Sequence, residues 1–180
     1  MDADTEITLD ALHDNIVAAI RAQFPDLQTV AAYPDERGPL ATPACLIELT
    51  EFEADADAEP GTGQLSGTAN FSAKFIIKFK QPELSAKREI RRLALAFAAF
   101  AHKRRWGLPV GGAEIMGAWP DDFDPELDQY EVWRVEWRQI VDLGESVWQP
   151  QPRPSEVWIG FAPEIGPDHV DDYVKVAPDA

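Results

Sequence analysis

From Leu65 to Lys80 the chain alternates with a period of two. Leu65, Gly67, Ala69, Phe71, Ala73, Phe75, Ile77 and Phe79 hold the odd positions, and Ser66, Thr68, Asn70, Ser72, Lys74, Lys78 and Lys80, with Ile76, hold the even ones. Helical geometry would scatter these residues around an axis, whereas an extended chain sends them to opposite faces. The run therefore predicts one long strand with a buried face and a wet face, and commits the chain to a sheet. Gly67 within it predicts a bulge or bend.

The remaining segments supply what such a strand needs beside it. Thr8 is a candidate N-cap for a helix carrying Leu9, Leu12, Ile16, Ile20 and Phe24 at steps of three and four, ending before Pro25. A second helix opens at Pro82, with Leu84, Ile90, Leu93, Ala94, Phe97 and Ala101 as its apolar stripe and Lys87, Arg88, Arg91 and Arg92 on the other side. It is expected to run to Trp106-Gly107, with His102, Lys103, Arg104 and Arg105 in a last turn where cations complement the helix dipole. Further strands are expected at 28–33, 44–52, 113–119 and 130–143, the last with Trp133, Val135, Trp137, Val141 and Leu143 on one face and Arg134, Glu136 and Arg138 on the other. The fold class is α+β: a mostly antiparallel or mixed sheet with two main helices packed on it, over residues 1–145. Residues 146–180 hold six of the fifteen prolines and read as an extended Pro-rich C-terminal arm with short strand-like patches at 157–161 and 172–176. Such patches are too small to fold alone, so the arm needs a surface of its own chain or of another subunit.

A chain of 180 residues that is 45% hydrophobic has the length of one domain and removes roughly 70% of its unfolded surface from water. Its net charge of −16 argues against nonspecific nucleic-acid binding, which needs a positive surface to release counterions. The charge is unevenly spread. Residues 74–105 hold ten of the sixteen Lys and Arg against Glu83 and Glu89, so that segment carries +8 and the remainder −24. Charges segregated in this way pair within the fold or between copies. The lone Cys45 forms no internal disulfide and sits in an apolar run that predicts a buried, inert thiol. The acidic start Met1-Asp2-Ala3-Asp4 is unlike a secretory signal, and no stretch has the apolar length of a membrane span.

Candidate reactive centres are few. Five carboxylates fall in the eight residues Asp121 to Asp128, and Asp122, Asp124, Glu126 and Asp128 alternate like calcium ligands. The match to an EF-hand fails, because the turn glycine is absent and Trp133 stands where the bidentate Glu belongs. The segment reads as a surface loop. Glu53, Asp55, Asp57 and Glu59 alternate with small residues and predict a mobile loop with no metal. His13, His102 and His169 have neither each other nor the cysteine at a motif spacing, and no phosphate-binding glycine loop occurs. No cofactor or metal is expected, and the chain reads as a non-enzyme. A small hydrolase with a carboxylate pair converging in space is the remaining enzymatic alternative.

The order of elements carries a resemblance. The first helix, Ala44-Cys-Leu-Ile-Glu-Leu-Thr-Glu-Phe52, the Gly61-Thr-Gly-Gln-Leu65 turn into a long strand, a basic helix ending in Arg105-Trp-Gly107, then Gly117-Ala-Trp-Pro120 and Tyr130-Glu-Val-Trp-Arg-Val-Glu-Trp137 resemble the tail terminator (tail completion) proteins of long-tailed bacteriophages and prophages, of the kind encoded in Mu-like structural clusters. The resemblance covers about residues 5 to 145, and the arm has no counterpart in it. It implies a virion protein, made in the bacterial host cytoplasm, that forms a homohexameric ring at the head-proximal end of the tail tube, ends tail polymerisation and offers a surface for head attachment. The implied partners are other copies of the chain, the major tail tube protein and head-tail connector proteins, with DNA passing through the lumen without sequence-specific binding and no membrane. Another connector or neck protein of the head-tail junction is the alternative. On this reading Lys87, Arg88, Arg91 and Arg92 face a neighbouring subunit or the lumen, Asp55, Asp57, Asp121, Asp122 and Asp124 belong to docking loops, and Trp158, Phe161 and Tyr173 are contacts of the arm.

Overall fold

A computed structural model of the chain describes residues 6–33, 40–58, 61–78, 83–121, 130–147 and 156–176. Contacts divide the chain into a larger unit, Asp4–Trp148, and a smaller one that comprises Gln149–Ala180 with Met1–Ala3.

The larger unit runs α1 (Leu9–Gln23), β1 (Thr29–Ala32), β2 (Ala44–Ala54), a 3-10 turn (Ala56–Ala58), β3 (Leu65–Lys78), α2 (Glu83–Ala101), β4 (Glu114–Pro120) and β5 (Tyr130–Leu143). The strands form a five-stranded sheet in the order β1-β2-β3-β5-β4. β1 runs parallel to β2 and every other neighbour is antiparallel, so the sheet is mixed and the class is α+β. The long alternating strand sits at the centre, paired along its whole length with β5. That position explains the strictness of its pattern, because a one-residue slip would exchange its two faces.

Both helices pack on the odd-numbered face of β3. Leu12, Ile16 and Ile20 of α1 and Ile90, Ala94, Phe97 and Ala101 of α2 join Ala69, Phe71, Ala73, Phe75 and Ile77 in one core. The Thr8 side chain caps α1 by accepting from the Ala11 N–H at 3.1 Å. Cys45 is fully buried in this core, and burial pushes its thiol pKa well up, which keeps it in the unreactive protonated form. His13 is also buried; its Nδ1 lies 2.9 Å from the Leu9 carbonyl and its ring packs against Tyr33 and Phe71.

Two expectations change. Helix α2 ends at Ala101, so His102 to Arg105 leave it and form a turn. The cause is backbone pairing: the Lys103 N–H donates to the Ala113 carbonyl at 2.7 Å and the Ala113 N–H to the Arg104 carbonyl at 2.9 Å, with Lys103 and Trp106 at φ 61° and 57°. Gly67 marks neither a bulge nor a register shift. It marks a close approach, since a Cβ there would lie 2.4 Å from the Glu53 carbonyl oxygen and 2.6 Å from Cζ of Phe52. Gly67→Ala is therefore expected to lower the unfolding free energy by about 2 kcal/mol, read from a urea titration, because backbone as well as side chain must shift. An unchanged midpoint would mean that β2 retreats freely.

The smaller unit contains a two-stranded antiparallel pair, β6 (Val157–Ile159) and β7 (Val174–Val176), and a 3-10 segment at Pro167–Asp172. Trp158 lies opposite Lys175 in the pairing. The Tyr173 hydroxyl accepts from the Gly166 N–H at 2.9 Å, and Gly160 fits against the Tyr173 ring.

Candidate assembly surface

Because both helices pack on one side of the sheet, its other face is lined by the alternate residues of β2, β3 and β5. The register aligns them across the strands: Glu53, Thr68 and Ile140 on one level, then Glu51, Asn70, Arg138 and Glu114, then Glu48, Ser72 and Glu136, then Leu46, Lys74, Arg134 and Trp119. Buried Ala44, Ile76 and Val132 make a small apolar cluster at the far end. The expected wet face is thus partly dry, since Ser66, Ser72 and Ile76 are also buried.

The carboxylates of β2 reach this face through an irregularity. The β2-β3 register shifts between Leu49 and Glu51, so Thr50 is an extra residue and its hydroxyl bonds the Asn70 carbonyl at 3.0 Å. Without that bulge, strict alternation would turn Glu51 and Glu53 toward the helices. With it, Leu49 and Phe52 pack against the core while Glu51 and Glu53 are exposed. A matching shift between Ile115 and Gly117 leaves Met116 exposed on β4.

On the opposite flank the turn after α2 meets β4 and β5 around a cleft of about 540 Å³, lined by Thr68, Lys103, Arg105, Glu114, Arg138 and Ile140 with Gly111 and Gly112. Its walls are fixed from beneath. The buried Gln139 side chain accepts from Trp106 Nε1 at 2.9 Å and donates to the Gly111 and Arg104 carbonyls at 2.6 and 3.3 Å. Gly111 and Gly112 lie so close to Ile140 and Lys103 that a Cβ would come within 3.1 and 3.2 Å of their carbonyl oxygens. Glu114 is the one carboxylate in the lining, against three cations. It accepts from Arg138 Nε at 3.0 Å and pairs with Lys103 Nζ at 3.5 Å. The Arg138 hydrogen bond, then the Lys103 charge, holds the Glu114 carboxyl below its ordinary pKa.

A depressed folded pKa means that ionised Glu114 stabilises the fold above its unfolded pKa, and that this contribution is lost as pH falls through the folded value. Glu114→Gln is accordingly expected to be less stable than the parent at neutral pH, with the two converging in acid below the carboxylate range. Parallel denaturant curves across pH measure this, and a gap that persists in acid would assign the effect to packing.

The residues expected at an interface are distributed unevenly. Lys87 turns to Glu131 at 3.8 Å, and the Arg91 guanidinium lies 5.0 Å over the Trp133 ring, so both are engaged by β5. Arg88 and Arg92 are exposed, Arg92 beside a groove formed with 23–27, Pro43 and Leu93. Asp55 and Asp57 are exposed at the 3-10 turn, where the Asp55 carboxylate accepts from the Asp57 N–H at 3.0 Å. Asp121 lies 4.0 Å from Lys74. Asp122 and Asp124 lie outside the described residues. In the smaller unit Trp158 and Tyr173 line a common cavity of about 500 Å³ with Val170, and Phe161 is exposed apart from it. Reading the sequence missed Arg138, Gln139 and Glu114 as members of a site. Gln139 did leave a signal, as a polar residue in register with the buried apolar positions of its strand.

Among the described residues no group of three or more His, Cys, Asp or Glu is placed to hold a metal ion, and no helix is long and apolar enough to cross a membrane. No family model matches the chain, and no curated protein matches it. Among solved structures the chain is similar to the sheath/tube terminator of an extracellular contractile injection system, PVC, in its extended state. The identity is 12% and the TM-score 0.41, over 92% of this chain and 68% of the other. Agreement at that level assigns neither a common fold nor a role.

Proposed function

We propose that this chain is a structural subunit that assembles with copies of itself into a ring at the head-proximal end of a phage tail tube, where it ends tube growth and offers a surface for head attachment. The observation that carries this reading is the open sheet face, acidic along β2 on one flank and cationic around the cleft on the other. A ring is built from heterologous contacts, in which one patch meets a different patch of the next copy, and opposite charge on opposite flanks suits that arrangement. The sequence resemblance to tail terminators supports the same reading and adds its particulars: six copies, contact with the tail tube protein and with head-tail connectors, and passage of DNA through the lumen without sequence reading. Catalysis has no part in it.

Two measurements test the proposal. The mass of the purified full chain at high concentration and low salt should be that of a closed oligomer. Tails produced without the protein should have uncontrolled length, and labelled protein should lie at their head-proximal end in micrographs. A chain that stays monomeric and is missing from particles would overturn the proposal. Density at the capsid vertex, away from the tube, would transfer the protein to another part of the neck.

A further inference from the structure

We infer that the cleft at Lys103, Arg105 and Arg138 is the receptor for the acidic strip Glu51, Glu53, Asp55 and Asp57 of a second copy of this chain; this contact rests on the ring reading and names its interface. The cleft holds three cations against the single carboxylate of Glu114. Arg138 and Lys103 share that carboxylate, and Arg105 is exposed and makes no ion pair among the described residues. An excess of cationic charge is left facing solvent on a turn that is held rigid by Gln139 and by the paired backbones of Lys103, Arg104 and Ala113. Two non-glycine residues of that turn, Lys103 and Trp106, sit in the left-handed backbone region, a strain that the surrounding hydrogen bonds must hold in place.

The complementary strip is equally unspent. Glu51, Glu53 and Asp57 are exposed, and among the described residues none of them forms an ion pair. In the structure none of them pairs with a cation of its own cleft: Glu53 lies across the β2-β3 pairing from Thr68 in the lining, and Arg138, two strands from Glu51, is turned to Glu114. The outer side of the strip is open as well. β1 pairs only with Ala44 to Ile47, so the rest of β2 has no strand beyond it among the described residues. Among the described residues the carboxylates thus line an unpaired edge that a second copy can approach.

Register sets how the two patches are placed on the sheet. Glu51 aligns through Asn70 with Arg138, and Glu53 aligns through Thr68 with Ile140, whose carbonyl accepts from the Gly111 N–H in the cleft wall. The acidic and cationic patches therefore sit at the same level along the strands, on opposite flanks. A second copy laid against this face can bring its strip onto the cleft with opposite charges in contact. A phosphodiester is the other anion that such a cleft attracts. The net charge of −16 repels a nucleic acid at long range, and the acidic strip at matching height favours the protein partner.

The test uses the full-length chain with Arg105→Glu or Glu53→Lys, both exposed positions without an ion pair among the described residues, so the fold is preserved and far-UV circular dichroism checks it. Each single variant should weaken self-association, measured by sedimentation at low salt, by about tenfold or more, since a like-charge contact replaces an attractive one. The double variant should recover association. An equimolar mixture of the two singles should assemble although neither does alone, because the reversed cleft of one accepts the reversed strip of the other in alternating order. Singles that assemble like the parent, or a double variant and a mixture that stay dissociated, would overturn the contact and leave the ring reading standing. A parent chain that is monomeric throughout would remove the ring reading itself. Binding of a DNA oligonucleotide that Arg105→Glu abolishes while assembly is unaffected would reassign the cleft to nucleic acid.

Discussion

Replacing Trp137 with Ala is expected to lower the unfolding free energy of the larger unit by about 3–5 kcal/mol. The indole is fully buried, stacked on Phe71 with ring centroids 5.3 Å apart and planes 13° from parallel, and set edge-on to Phe97 at 5.7 Å. It thereby joins the two central strands to α2, so truncation leaves a cavity where all three meet. With native stabilities of about 5–15 kcal/mol, that loss is a large share of the whole. Trp137→Phe should cost far less, about 1 kcal/mol, since it keeps an aromatic ring in the stack and removes an indole N–H that has no partner among the described residues. Chemical denaturation of the three proteins separates the cases. Equal losses for Phe and Ala would mean that the stack contributes little and that the ring's far edge does the packing.

Gln139→Leu is expected to cost about 3 kcal/mol although Leu is apolar and close in size. The substitution leaves the Trp106 N–H and the Arg104 and Gly111 carbonyls without the partner they have now, in a region closed to solvent. Each stranded group costs about 1–3 kcal/mol, and the three share one side chain, so their costs do not simply add. The damage should be local first. Amide exchange at 104–113 should accelerate more than exchange in β3, because the turn loses its attachment while the central pairing remains. A loss below about 1 kcal/mol would indicate that water takes over the amide's role. The cationic cleft should loosen along with the turn, so this variant should also assemble poorly while keeping every charged residue.

The sheet was legible where one force decided the pattern. β3 is central and paired on both sides, so its alternation is plain apart from Ile76, and the α1 and α2 stripes face the same core and show it as clearly. Legibility failed where backbone pairing competed with local preference. His102 to Arg105 match the charge expected at a helix end, yet the pairing of Lys103 and Arg104 with Ala113 ends the helix earlier. The basic stripe of α2 is visible in its periodicity, but one periodicity does not encode that Glu131 and Trp133 engage Lys87 and Arg91 while no such partner meets Arg88 and Arg92 among the described residues. The cleft was hidden for a different reason. Arg105 and Arg138 are remote in sequence and are brought together by the β4-β5 register, which no local spacing encodes.

The extra residue at Thr50 makes β2 unusually forgiving of a change in length at one place. Deleting Thr50 removes the residue that has no partner of its own and leaves Leu49 and Phe52 pointing inward, so a chain one residue shorter should fold with the same pairing on either side. Deleting Glu48 instead would drag Leu46 and Ile47 out of step with β3 and invert the strand. The bulge is thus a spacer whose loss the framework can absorb, and shortened or lengthened descendants of this chain should vary there before they vary anywhere else in the strand.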